Sequence, residues 1–546
     1  MRRFLKMKCF ILGFRCLLAI CLPVITQAQF DTAWVRTYNG PGNGDDGAVA
    51  MTVDGAGNVY VTGLCIGAGS GQDYLTIKYL PNGDTAWIRM YNGPGNGSDY
   101  AVAIALDGFG NVYVTGTSLG TTTNQDLATI KYSATGTELW VARSSAPNPE
   151  IACDIAVDAA GFVYVGGTYI QSSSSYAYLV IKYGPPGNQL WPSIAGYGTM
   201  CWARGIAVNG SGDVYIGGWM VTPMTGGPDF VTVKFNASGA QQWLQYYNGN
   251  PNSGDTAYAF CMDPSENVWV GGRSYGGPVN LGDYRVVGFD PSANILSPSG
   301  YNGPGNGEDC VMDMVFDGSG NHFFTGRSIG SGSGQDYATL GNIFPPQRYN
   351  GPANGDDCAR SIAVDDSGNV YVTGSSVGVG SGKDYLTIKY RLNGDTAWTA
   401  RYNGLGNGDD IPAAIAVDDS GNVYVTGSCT GIGSGRDIVT IKYRQSPACV
   451  YLPGDINGDD LRLGGDVTYG VRFFKGAGTS PRDSCYMDST SNYLYVAGDC
   501  NGDCQFRGAD ITRLVAYFKG TAALSYCHFF PPPPLREDRP LLISKD

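Results

Sequence analysis

Apolar residues in this chain come in short runs of period two, each closed by a cluster of Gly, Asn, Asp or Pro. Ala413–Val417, Asn422–Thr426 and Ile438–Tyr443 show the pattern: β-branched or aromatic positions alternate with small or polar ones, as in half-buried strands. Asp-Ser-Gly-Asn between the first two is a tight hairpin turn. A Trp-bearing run, as at Asp395–Trp398, supplies a fourth strand in most units. After the first 28 residues no apolar run is long enough to span a bilayer.

The runs recur as a phrase. Val-Asp-Asp-Ser-Gly-Asn-Val-Tyr-Val-Thr-Gly spans Val364–Gly374, recurs unchanged at Val417–Gly427 and recurs with small changes at Val53–Gly63. The residue closing its turn is Asn58, Asn111, Phe162, Asp213, Asn267, Asn321, Asn369 and Asn422, which marks eight units of similar length. Four antiparallel strands per unit at this period predict an all-β, eight-bladed β-propeller of four-stranded blades. The ends support closure. Asp31–Trp34 matches the fourth-strand run Asp84–Trp87, while the last unit stops after its third strand at Ile441–Tyr443. The N-terminal strand is therefore expected to complete the last blade and remove two bare edges. A seven-bladed ring with one displaced unit and an open array stay as alternatives.

Gly-Asn-Val-Tyr-Val-Thr-Gly and Asp-Tyr-Leu-Thr-Ile-Lys-Tyr (Asp73–Tyr79, Asp384–Tyr390) resemble the bacterial SBBP β-propeller repeat. The resemblance implies the propeller fold and no particular activity. Gly341–Pro346 interrupts the pattern between third and fourth strands of the sixth unit.

Composition shifts after Pro447. Gly454–Asp459 and Gly498–Asp503 match each other, and Asp466 and Asp510 stand at position 12 of the two loops. Oxygen donors at positions 1, 3, 5 and 12, with a carbonyl at 7, suit Ca²⁺. Short amphipathic helices are expected after each loop, through Val467, Val471 and Phe474 and through Ile511, Leu514, Val515 and Phe518. This duplicated loop–helix resembles a dockerin domain. The resemblance implies two calcium sites, Asp455, Asn457, Asp459, Leu461 (carbonyl) and Asp466, and Asp499, Asn501, Asp503, Gln505 (carbonyl) and Asp510. It also implies a cohesin-like or cell-surface partner, although Gly464-Gly465 and Gly508-Ala509 offer little side chain to read. The expected organisation is a signal peptide (1–28), propeller (29–446), calcium module (447–528) and Pro-rich tail (529–546).

The basic start (Arg2, Arg3, Lys6, Lys8), the apolar stretch Cys9–Ile25 and Thr26-Gln27-Ala28 predict export, to the cell surface or beyond. A formal net charge of -13 argues against a nucleic-acid partner. Twelve cysteines remain after the leader, bridged or simply buried.

Catalytic chemistry has little to draw on. The two histidines are His322 and His528, and His322 replaces a strand valine. The acidic pairs Asp45-Asp46, Asp356-Asp357, Asp365-Asp366, Asp409-Asp410 and Asp418-Asp419 recur at turns, where Asp bonds nearby backbone N–H groups. Departures from the repeat are more telling. The residue after the phrase's last Gly is Leu64, Thr117, Thr168, Trp219, Arg273, Arg327, Ser375 and Ser428. Trp219, Arg273 and Arg327, expected where the second strand opens into a loop, form a candidate site for a sugar or anionic glycan through stacking and bidentate hydrogen bonds. The expected function is binding or scaffolding without catalysis. The alternatives are a carbohydrate-active enzyme with its site in the funnel and a purely structural surface-layer protein.

Overall fold

The computed structural model describes residues 30–445, apart from 122–124, 145, 222–226, 250–253 and 276–281, together with 485–487, 492–494 and 508–519. The chain divides into two units, Gln29–Ser446 and the remainder.

The first unit is an eight-bladed propeller. Eight four-stranded antiparallel sheets follow one another, each in the order inner, second, third, outer strand. The inner strands of neighbouring blades touch all the way round, including the first (Gly47–Val53) against the last (Ile411–Val417). Phe30–Tyr38 is the outer strand of the eighth blade and pairs antiparallel with Arg436–Gln445, with Val35 opposite Ile441. The ring is thus closed by the two ends of the unit, as expected.

The repeated phrase is a folding instruction. In the eighth blade Asp418 Oδ1 accepts the backbone N–H of Ser420 and Asn422, while Oδ2 accepts Asn422 Nδ2 and Tyr424 Oη. Gly421 takes φ +75°, where L-side chains are strained. Asp54, Asp107 and Asp365 repeat this turn. The last glycine of the phrase has another cause. A Cβ on Gly374 would lie 2.1 Å from the Cys358 carbonyl oxygen, because the inner strand bulges one residue toward it.

The second strands run past that glycine. Val268–Ser274 and His322–Ile329 keep Arg273 and Arg327 paired with Thr256 and Cys310 of their inner strands. Trp219 likewise faces Trp202. These three positions therefore belong to the strand and not to the start of the loop as expected: beyond the bulge the ladder resumes and holds them.

In six of the eight blades an outer-strand tryptophan (Trp34, Trp87, Trp140, Trp191, Trp243 or Trp398) packs at the boundary with the next. Trp87 packs between Tyr60 of its own blade and Tyr132 of the next, and its Nε1 donates to the Ala134 carbonyl across the boundary. Trp34 does the same across the closure, between Tyr424 and Tyr79, donating to Pro81. The sixth blade, whose pattern breaks at Gly341–Pro346, keeps only a three-residue outer strand, Gln347–Tyr349. Phe344 fills the tryptophan's place there, 6% exposed and packed on Phe323 and Tyr390.

In the second unit a helix, α1 (Gly508–Phe518), buries Ile511 and Leu514 as the spacing predicts, and Cys485–Met487 pairs with Asn492–Leu494. Asp510 lies in α1. The other nine calcium-ligand positions, the first amphipathic helix, the leader and the tail lie outside the described residues.

Candidate functional site

Turns joining inner to second and third to outer strands are tight and lie on one face of the ring. The opposite face carries the connections from second to third strand and from blade to blade. The blade-to-blade loops are held by buried aspartates. Asp46 accepts the N–H groups of Gly40 and Ile66, and Asp99, Asp309, Asp357 and Asp410 repeat this in their blades. Their partners Asp45, Asp356 and Asp409 each cap an N–H of the preceding blade, on Arg436, Gln335 and Lys383. The acidic pairs of these loops are thus consumed by backbone, which removes them as a catalytic set.

The sixth blade breaks the rule. Where the first, seventh and eighth blades have Asp45, Asp356 and Asp409, it has Glu308. The side chain is one methylene longer, and its carboxylate meets Arg273 Nη1 of the fifth blade at 2.6 Å and Arg327 Nη2 of its own blade at 2.8 Å. The three side chains are between 24% and 32% exposed, so solutes reach them. Two guanidinium groups against one carboxylate leave a positive balance. Arg273 also lies 5.6 Å from the Tyr275 ring.

The inner-strand bulges extend the asymmetry. The bulged residues are Val49, Val102, Cys153, Arg204, Tyr258, Met312, Arg360 and Ala413. Blades four to seven therefore supply two further arginines and a tyrosine where the others supply aliphatic residues or a cysteine. Arg204 Nε donates to the Ala257 carbonyl, and its guanidinium lies 5.1 Å from the Tyr258 ring. A cationic and aromatic half-ring results, in a chain whose formal net charge is -13.

Of the three residues singled out in the sequence, the structure joins Arg273 and Arg327 through Glu308. Trp219 stands apart: it packs with Tyr215, Phe230 and Ala257 in the core between the fourth and fifth blades. Glu308, Arg204 and Tyr258 were missed by sequence reasoning. Each is nevertheless a departure from its repeat column, and aligning the blades on the loop aspartates and on the bulges would have exposed them.

Among the described residues the candidate nucleophiles and bases nearest the arginines are committed elsewhere. Burial pushes the Cys310 thiol up to about 12, against the pull of Arg327 and Arg273. His322 stacks on Trp269 and Phe324, and burial lowers its pKa. Two carboxyls unique to their blades, Asp154 and Asp313, sit on inner strands, where burial raises both to about 6. Their oxygens accept Ile155 and Ile206 N–H, and Met314 and Ile362 N–H with Ser361 Oγ. Both carboxyls are committed to structure. Among the described residues no group of three or more His, Cys, Asp or Glu side chains is placed to hold a metal ion, and no helix is long and apolar enough to cross a membrane. The seven cysteines described in the propeller are free thiols.

Residues 87–121, 348–378 and 397–433 match the model of the SBBP family, described as a beta-propeller repeat. No curated protein matches the chain. Among solved structures it is similar to the WD40 domain of SCAP from fission yeast, at 8% identity and a TM-score of 0.40, covering 76% of this chain and 97% of that one. It is similar to puromycin hydrolase at 10% identity and 0.41, covering 70% and 58%. A GH93 alpha-L-arabinofuranosidase of Fusarium graminearum follows at 9% identity and 0.36, covering 62% and 91%. Identities this low say nothing about what the chain does.

Proposed function

We propose that this chain is an exported binding protein whose propeller takes an anionic ligand, a carboxylate-bearing saccharide, on the loop face of blades four to seven. The observation that carries the reading is the pair Arg273 and Arg327, drawn from adjacent blades onto one carboxylate. Guanidinium forks recognise carboxylates by paired hydrogen bonds, and flanking aromatic faces suit sugar rings. Binding is favoured over catalysis because the non-repeated carboxyls Asp154 and Asp313 already accept backbone N–H groups. The C-terminal module is read as a dockerin-like element holding two calcium ions through Asp455, Asn457, Asp459, Leu461 and Asp466, and through Asp499, Asn501, Asp503, Gln505 and Asp510. It would tether the propeller to a surface partner.

The test is a glycan array followed by calorimetry. Uronic-acid glycans should bind the wild-type protein, neutral ones should not, and Arg273→Ala or Arg327→Ala should each weaken binding at least about tenfold, the loss of roughly one charged hydrogen bond. Unchanged binding in both variants would sink the assignment.

A further inference from the structure

Glu308 has no structural duty of the kind its counterparts perform. Asp45, Asp356 and Asp409 cap backbone N–H groups of the preceding blade at 2.9 to 3.0 Å. Both Glu308 oxygens instead go to arginines, Oε2 to Arg273 and Oε1 to Arg327. Swinging Glu308 away would break those two ion pairs without taking a backbone cap from the neighbouring blade. The arginines keep donors in reserve, since Arg273 Nε and Arg327 Nε have no partner among the described residues. Glu308 also shows the shape of the guest: a planar group with one oxygen on each guanidinium.

We propose that Glu308 is a tethered competitor, occupying the two-arginine clamp in the free protein and leaving when a ligand carboxylate enters. The proposal rests on the anion-binding reading above and adds its regulation. A carboxylate held on the same chain acts at a high effective concentration, so it sets a threshold that only ligands with further contacts overcome. A monocarboxylate with nothing else to grip binds weakly, while a uronic acid within a longer saccharide displaces Glu308. The half-ring of Arg204, Tyr258 and Arg360 supplies candidate further contacts.

The experiment is calorimetry of the full chain with D-glucuronate, and with glucose as the uncharged control. Four proteins are compared: wild type, Arg273→Ala, Glu308→Gln, and Glu308→Gln with Arg273→Ala and Arg327→Ala. Glu308→Gln should bind glucuronate about tenfold more tightly than wild type or better, and the triple variant should lose the gain. Thermal unfolding run in parallel checks the fold. If Glu308→Gln does not fold, Glu308→Asp, too short to reach both arginines, takes its place with the same expectation. Wild-type binding that is lost on Arg273→Ala yet unimproved by Glu308→Gln would overturn the gate and leave the anion site standing. If neither wild type nor Glu308→Gln binds glucuronate, both the gate and the anion site fail.

Discussion

At the scale of single residues the repeat assigns a task to each letter of its phrase, and the tasks are measurable. Asp418 accepts four hydrogen bonds, so Asp418→Ala should cost about 2–3 kcal/mol in chemical denaturation. Asp418→Asn should cost less, because the fourth blade already uses Asn209 for the same two backbone bonds. Equal losses in the two variants would show that the turn is not what the side chain holds. The ionisation of these turn aspartates is itself informative. Burial works against the charge on Asp54, but hydrogen bonds from Asn58 and Tyr60 outweigh it and hold the pKa below its ordinary value. Asp154 and Asp313 behave oppositely. Burial raises both from 3.8 to about 6, so the folded state prefers them protonated. Their contribution to stability is fully present below pH 3.8 and is lost as pH rises through 6. The loss amounts to at most about 3 kcal/mol per group at 1.4 kcal/mol per pKa unit. Denaturation at pH 4 and pH 7 should therefore show a steeper loss for wild type than for Asp154→Asn with Asp313→Asn. The constant cost of the amide's missing acceptor drops out of that comparison. Parallel pH profiles would refute it.

At the scale of strands and blades, much was legible in the sequence. The period, the strand count and the closing role of Asp31–Trp34 all follow from runs that differ little between units. The site was half legible. Arg273 and Arg327 stand in a column where the other blades carry Leu, Thr, Ser and, once, Trp219, so they are visible as departures. Glu308 differs by one methylene from the aspartates of the first, seventh and eighth blades, and what makes it different is the arginine it reaches in another blade some 35 residues earlier (308 − 273). Long-range pairing of that kind leaves no trace in local pattern. The bulges that place Arg204 and Tyr258 also look like ordinary strand from the sequence. Blades further differ in a cation they keep or lack. Arg143, Arg348 and Arg401 reach from the outer strand to the third-strand aspartates Asp126, Asp336 and Asp384 and to the second-strand serines Ser118, Ser328 and Ser376. In the first blade the same positions hold Met90, Asp73 and Cys65, and Asp73 Oδ2 accepts the Ser70 hydroxyl with no guanidinium beside it among the described residues. Met90→Arg combined with Cys65→Ser should therefore raise stability by about 1 kcal/mol, the value of a partly exposed guanidinium–carboxylate pair. A lower midpoint in thermal unfolding would mean that the first blade cannot admit the side chain.

At the scale of the whole molecule, one strand decides whether the propeller is a closed body. Phe30–Tyr38 pairs along the full eighth blade, and Trp34 docks onto the first blade through Tyr79 and Pro81. Removing residues 30–38 would expose the edge of Arg436–Gln445, rich in Ile and Val, as a template for other chains. It would also strip the contacts of Trp34 and Arg36 with Tyr79, Pro81 and Gly83 across the closure. The C-terminal residues fall in a unit separate from the ring. Two independent levers on one chain follow. Deleting residues 30–38 should lower the propeller's unfolding transition and drive association in size-exclusion chromatography, and a synthetic peptide of residues 30–38 should restore the monomer. If the C-terminal loops hold calcium as proposed, calcium should act on the other transition alone, through mass-action linkage to the folded state. The calcium shift should disappear in a chain carrying Asp455→Ala and Asp499→Ala while the peptide rescue persists. A single transition moved by both treatments would show that the ring and the C-terminal module fold as one cooperative body, and the assignment of calcium to the module alone would fall with it.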